Sequence, residues 1–157
     1  MKNIKKGFTL IELLVVVAII ALLTMVVLAA LNSARNKGSD STVKAQLSGM
    51  RAQAEMYYNT NSTYDGVCAT SGTNVVGLMA NAAEKAYNGT TSVTTYADGN
   101  PSTWTTAQCH DGLSGWVVWV PLKTSGNAWC VDYTGAAKIS TNLLLAVGTF
   151  PTGYVCP

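Results

Sequence analysis

Residues 8–31, FTLIELLVVVAIIALLTMVVLAAL, carry a single charge, Glu12, and from Leu13 to Leu31 the chain is wholly neutral and rich in Val, Leu, Ile and Ala. A stretch of this kind has few structural outlets. At 1.5 Å per residue, about 20 helical residues cross the ~30 Å hydrocarbon core of a bilayer. A transmembrane helix is therefore the first expectation. Lys2, Lys5 and Lys6 precede it and only Arg35 and Lys37 follow closely, so the lysine-rich end is expected to stay cytoplasmic and the rest to face outward. A secretory signal peptide also opens with lysines, but its apolar core is about 7–15 residues long and ends at a small-residue cleavage site. Ala29, Ala30 and Ala34 would pass for such a site, yet the run is too long. Neither an ordinary anchor nor a signal peptide explains Glu12, because a carboxylate at the start of a membrane-spanning helix is costly to bury and marks a function.

The segment Lys5-Lys6-Gly7-Phe8-Thr9-Leu10-Ile11-Glu12-Leu13-Leu14 resembles the processing signal of type IV prepilins and of the pseudopilins of type II secretion systems. The resemblance covers roughly residues 1–32. It implies that a membrane peptidase cuts behind Gly7, that Phe8 becomes an N-methylated amino terminus, and that Glu12 takes part in docking between subunits. No proline interrupts the apolar helix, where many members of that family carry one.

Past Leu31 a polar patch at residues 32–42 contains Gly38 and Asp40 and is expected to loosen the helix, glycine costing about 1 kcal/mol there relative to alanine. Helical periodicity then resumes. Val43, Leu47, Met50, Ala54 and Tyr57 form a stripe at alternating steps of four and three, with Lys44, Ser48, Arg51 and Glu55 off it, which predicts one face packed on a core. A helix from residue 8 to about residue 59 would measure about 78 Å. Residues 75–87 place Leu78, Met79, Ala82, Ala83, Ala86 and Tyr87 at helical spacing, with Asn88-Gly89 as the stop. Residues 90–106 hold nine Ser or Thr and the turn Asp98-Gly99-Asn100-Pro101, and read as an exposed loop. Residues 115–122, 128–133 and 136–140, rich in Val, Trp, Ile and Tyr, read as three strands of an antiparallel meander. A tail containing residues 143–147 and 154–156 is expected to add a strand or a covering segment. Trp116, Trp119 and Trp129 are expected in the sheet's buried face or in contacts between subunits, with the core preferred.

The expected fold is α+β: a long N-terminal helical spine, half transmembrane and half amphipathic, packed on a small C-terminal antiparallel sheet, as the pilin resemblance also implies. The 157 residues then divide into a leader at 1–7, an assembly helix at 8–31 and one extracellular domain at 32–157, with no room for a second core.

Cys68, Cys109, Cys130 and Cys156 all lie beyond the apolar segment, without a CxxC pair or metal-ligand spacing to a histidine. Four such cysteines predict two disulfides outside the cytoplasm. Of three connectivities, Cys68 with Cys109 and Cys130 with Cys156 is preferred, since Cys130 sits in a strand to which the tail must be fastened. Cys156 also looks like the disulfide-closed end of many pilins.

Formal charge is +2, but loss of residues 1–7 leaves seven basic residues against eight acids, a balance of −1. The basicity belongs to the leader and gives no support for nucleic-acid binding. His110, the single histidine, reads as a solvent-facing loop residue rather than a ligand or general base. No GxSxG, Walker loop or HExxH is present. Major pseudopilins, which the chain resembles at its N-terminus, often hold calcium near the C-terminus. Here Asp98-Gly99-Asn100 offers too few acids for an oxygen cage, so no metal and no cofactor is expected.

The resulting expectation is a non-enzymatic subunit of an extracellular filament that polymerises with itself. Its other partners are the prepilin peptidase and methyltransferase, an inner-membrane assembly platform and the membrane. The alternatives are a pseudopilin or minor pilin of a secretion or DNA-uptake system, and a signal-anchored enzyme or binding domain.

Overall fold

The computed structural model describes residues 7–69, 75–89, 94–96, 106–124, 126–140 and 154–156. Helix α1 runs Leu10–Asn61 and α2 runs Val75–Asn88; strands β1 (Thr94–Tyr96), β2 (Gln108–Gly112), β3 (Gly115–Pro121), β4 (Ala128–Asp132) and β5 (Ala137–Ser140) follow. The chain divides into two compact units, Met1–Arg35 and Asn36–Pro157.

In the second unit the strands form one sheet in the order β1-β2-β3-β4-β5. Strands β2 to β5 are antiparallel neighbours, and β1 pairs parallel to β2. The fold is thus α+β, a long N-terminal helix with a small, mainly antiparallel sheet. The helical stripe does what its period dictates: Val43, Leu47, Met50 and Ala54 are buried in one core with Val76, Ala80 and Ala83 of α2 and with Trp116, Val118 and Val120 of β3. Alternation along β3 sends Val117 and Trp119 to the other face, into a second cluster with Ala128, Cys130 and Cys156. Strand β3 is consequently buried along its whole length. Trp116 and Trp119 are core residues, and Trp129 is half-buried beneath the Lys44 ammonium, 4.9 Å from the ring centre.

Both helix ends use left-handed backbone. Ser62 (φ 57) donates its N–H to Tyr58 O at 2.7 Å, and Gly89 (φ 85) donates to Lys85 O at 2.9 Å, each satisfying a carbonyl that the helix leaves open. Glycine takes that conformation without steric cost, whereas Ser62 takes it as one of two described non-glycine residues with positive φ.

Three sequence expectations are corrected in this unit. Residues 32–42 do not loosen the helix, because α1 is continuous through them. Asp40 is buried instead, its carboxylate accepting Lys123 N–H at 2.7 Å, Thr124 N–H at 3.1 Å and the Thr124 hydroxyl. His110 is not a loop residue: it lies in β2, 1 % exposed, with its ring stacked on Trp119 at 5.0 Å. The Ser/Thr-rich run at 90–106 is not all loop either, since Thr94, Thr95 and Tyr96 pair with Gln108, Cys109 and His110. Residues 98–101 and 143–147 lie outside the described residues.

Two disulfides join Cys68 to Cys109 and Cys130 to Cys156, and no cysteine is free. One staples the segment after α1 to β2, and the other staples the tail to β4. Loops of these lengths, 41 and 26 residues, correspond to about 3–4 kcal/mol each in the chain-entropy account.

Candidate assembly site on the N-terminal helix

In the first unit, seventeen large apolar side chains between Phe8 and Leu31 are 43–86 % exposed. They occupy every side of the helix, so no rotation about its axis would bury them against a single flat partner. At about 1.5–3 kcal/mol for each buried Leu, Ile, Val, Phe or Met side chain, this surface is incompatible with free water. It requires lipid or other helices around it. The helix is long and apolar enough to cross a membrane. Thr24, the hydroxyl in the middle of the stretch, donates to Ile20 O at 2.7 Å, so its polar group is satisfied inside the helix and does not oppose burial in hydrocarbon.

At the start of this helix the sequence Thr9-Leu10-Ile11-Glu12 folds into a capping box. The Thr9 hydroxyl accepts Glu12 N–H at 3.2 Å, while Glu12 Oε2 accepts both the Thr9 N–H and the Thr9 hydroxyl at 2.9 Å. Two amide groups that a helix start leaves open are thereby paired. The favourable field of the helix N-terminus adds to the preference for an acid at this position. The structure therefore assigns Glu12 a local partner that the sequence reading did not name, although a Thr followed three residues later by a Glu is the usual signature of such a start.

Gly7 and Phe8 are exposed and precede the helix. Among the described residues, no atom beyond the adjoining ones lies within 4 Å of where a Gly7 side chain would begin. The residues expected to matter thus fall into separate groups. Gly7, Phe8 and Glu12 sit together at one helix start, and Cys68, Cys109, Cys130 and Cys156 lie in the second unit.

Carboxylates that formal charge counting leaves anonymous are the other feature missed from sequence. Asp40, Glu84, Asp111 and Asp132 are all buried. Glu84 accepts the Ala107 N–H and the Asn88 amide, and burial raises its pKa against the opposing pull of those donors. Asp111 is likewise raised by burial, partly offset by the Cys68 N–H. Among the described residues no group of three or more His, Cys, Asp or Glu side chains is arranged to hold a metal.

Residues 2–28 match the family described as the prokaryotic N-terminal methylation motif. A 59-residue stretch, 38 % of the chain, is 48 % identical to the type IV wide pilus major component PilA4 of Thermus thermophilus. The match spans 45 % of that relative, less than half its length. No solved structure matches. A methylation motif is thus laid over a helix start with an exposed Gly-Phe junction and an all-round apolar surface, and over this N-terminal part the chain is similar to a type IV pilin.

Proposed function

We propose that the protein is the structural subunit of a type IV pilus-like extracellular filament. The membrane holds it as a precursor, the prepilin peptidase cuts it behind Gly7 and methylates Phe8, and an inner-membrane platform adds it to a growing homopolymer. The observation that carries this reading is the helix surface: apolar on every side, with one carboxylate fixed in its first turn. A bundle of identical helices covers such a surface as fully as lipid does. The similar Thermus protein is the major component of a pilus, which favours a filament subunit over a pseudopilin or minor pilin.

The capping box suggests how register is set. Cleavage leaves Thr9 an ordinary peptide N–H, so the box survives processing. Both Thr9 donors converge on Oε2, and Oε1 is left to receive the cationic Phe8 amine of a neighbouring subunit. At ~4 Å and an effective dielectric of 20 that attraction is about 4 kcal/mol, with desolvation offsetting much of it. Net affinity is small, but a helix inserted at the wrong depth strands a charge in apolar surroundings, whereas the Leu, Val and Ile surface tolerates sliding. Glu12→Val is expected to leave export, cleavage and the folded domain intact while abolishing filaments. Normal fibre yield from cells whose sole subunit is this variant would refute the mechanism.

A further inference from the structure

The same three-residue arrangement occurs twice in the sheet. Cys109-His110-Asp111 lies in β2 and Cys130-Val131-Asp132 in β4. Residues i and i+2 of a strand share a face, so each strand cysteine has an aspartate beside it on its own side of the sheet. In both cases that aspartate accepts the backbone N–H of the cysteine to which its neighbour is bonded. Cys68 N–H meets Asp111 Oδ2 at 3.0 Å, and Cys156 N–H meets Asp132 Oδ2 at 2.7 Å. All four groups are buried.

Common ancestry of one local fold does not explain the recurrence. Cys68 arrives from a turn after α1 and Cys156 from the tail, and the two disulfides belong to different apolar clusters. What the two sites share is an incoming main chain gripped at the cysteine by a buried carboxylate. Asp132 Oδ1 is already filled by the Thr134 N–H, the Thr134 hydroxyl and the Ala136 N–H of its own turn, so a strand that meets the wrong segment leaves one buried carboxylate oxygen, Oδ2, without its donor, which is disfavoured.

We propose that Asp111 and Asp132 are positioning residues for oxidative folding: each docks the backbone of the correct cysteine beside its strand partner while both are still thiols, and so selects the disulfide connectivity. Oxidation then follows by exchange with an external disulfide such as oxidised glutathione. One thiolate attacks it and releases a glutathione thiolate. The second protein thiolate, already alongside, displaces the other glutathione. Two thiol protons are lost and two electrons pass to the glutathione disulfide. Of the three pairings open to four cysteines, only Cys68–Cys109 with Cys130–Cys156 brings a cysteine N–H to Oδ2 of both aspartates.

The test is glutathione-buffered refolding of the full chain in detergent micelles, quenched with an alkylating agent and read by peptide mapping. The wild type is expected to form the two native pairs from the earliest time points. Asp111→Ala and Asp132→Ala are each expected to lower the native share of first-formed disulfides about tenfold, the weight of one charge-assisted hydrogen bond, and Asn at either position is expected to restore part of it. Should an alanine variant fail to fold, a second measurement decides: amide exchange at residue 156 in the Cys130→Ser, Cys156→Ser double variant. Protection retained there without the covalent bond, and lost on adding Asp132→Ala, supports docking before oxidation. Exchange at the rate of an unfolded tail in the double variant itself, or native pairing by the alanine variants at wild-type fidelity, would overturn the proposal.

Discussion

Lys123 donates its backbone N–H to Asp40 Oδ1 across 2.7 Å, tying the turn after β3 to the middle of α1. Sequence separation between the two is 83 residues, and the bond closes the edge of the first core, where Leu122 is buried. Thr124 adds its own N–H and hydroxyl to the same carboxylate. Asp40→Ala strands these donors and is expected to destabilise the domain by about 2–4 kcal/mol. The thermal transition of the tryptophan circular dichroism, measured on the full chain in micelles, checks this. An unchanged midpoint would show that solvent replaces the carboxylate without loss.

Two glycines are expected to respond to alanine with opposite sign. A Cβ at Gly38 meets nothing within 4 Å, and the position lies inside α1, so Gly38→Ala is expected to gain about 1 kcal/mol of helix stability. At Gly77 the same atom lands 2.3 Å from Ala69 O and 2.5 Å from Cys68 O. These are backbone atoms held by the Cys68–Cys109 disulfide, and Gly77→Ala is expected to destabilise by about 1–3 kcal/mol through overpacking. The two midpoints measured side by side check both signs.

The pH dependence follows from Glu84. Its folded-state pKa is raised above the usual 4.5 by burial, so the folded state holds the proton more tightly than the unfolded chain. The resulting stabilisation is complete below the unfolded value and is lost as pH rises through the folded one. Asp111, raised for the same reason, acts in the same direction. Glu84→Gln removes the Glu84 share, so the variant's stability relative to wild type should improve as pH rises across that window. Parallel stability curves for the two proteins would contradict the assignment.

The capping box has a local signature. Thr9→Ala deletes the hydroxyl that accepts Glu12 N–H, at a cost of about 1 kcal/mol to the helix start. Amide exchange at Leu10 to Glu12 in micelles should quicken about fivefold, while exchange beyond Thr24 stays unchanged. Equal rates in both proteins would show that the box contributes nothing to holding the first turn.

Elements governed by apolar period were legible in the sequence. The Val43-Leu47-Met50-Ala54 stripe marks the buried face of α1, and the Val- and Trp-rich runs mark β3 and β4, because burial of those side chains is itself what forms the elements. Strand β2 carries no such mark. Gln108, His110 and Asp111 are polar, and they are buried through pairing with β3 and through His110 stacking on Trp119, which is tertiary context overriding local preference. Strand β1 is hidden for a related reason, since three residues within a Ser/Thr-rich run show no alternation. At the N-terminus the motif and the apolar length were legible, and so in principle was the Thr9–Glu12 spacing. The destinations of Asp40, Asp111 and Asp132 were not, because each is set by backbone amides remote in sequence or by the tail.

The most direct test of the filament reading is intact-mass and N-terminal analysis of the subunit in fibres sheared from cells that express the full chain. The expected result is an abundant chain that begins at Phe8 and carries one added methyl group on its amine. A chain beginning near Ala30 or Ala34, or one absent from the fibres and confined to the cell envelope, would contradict it.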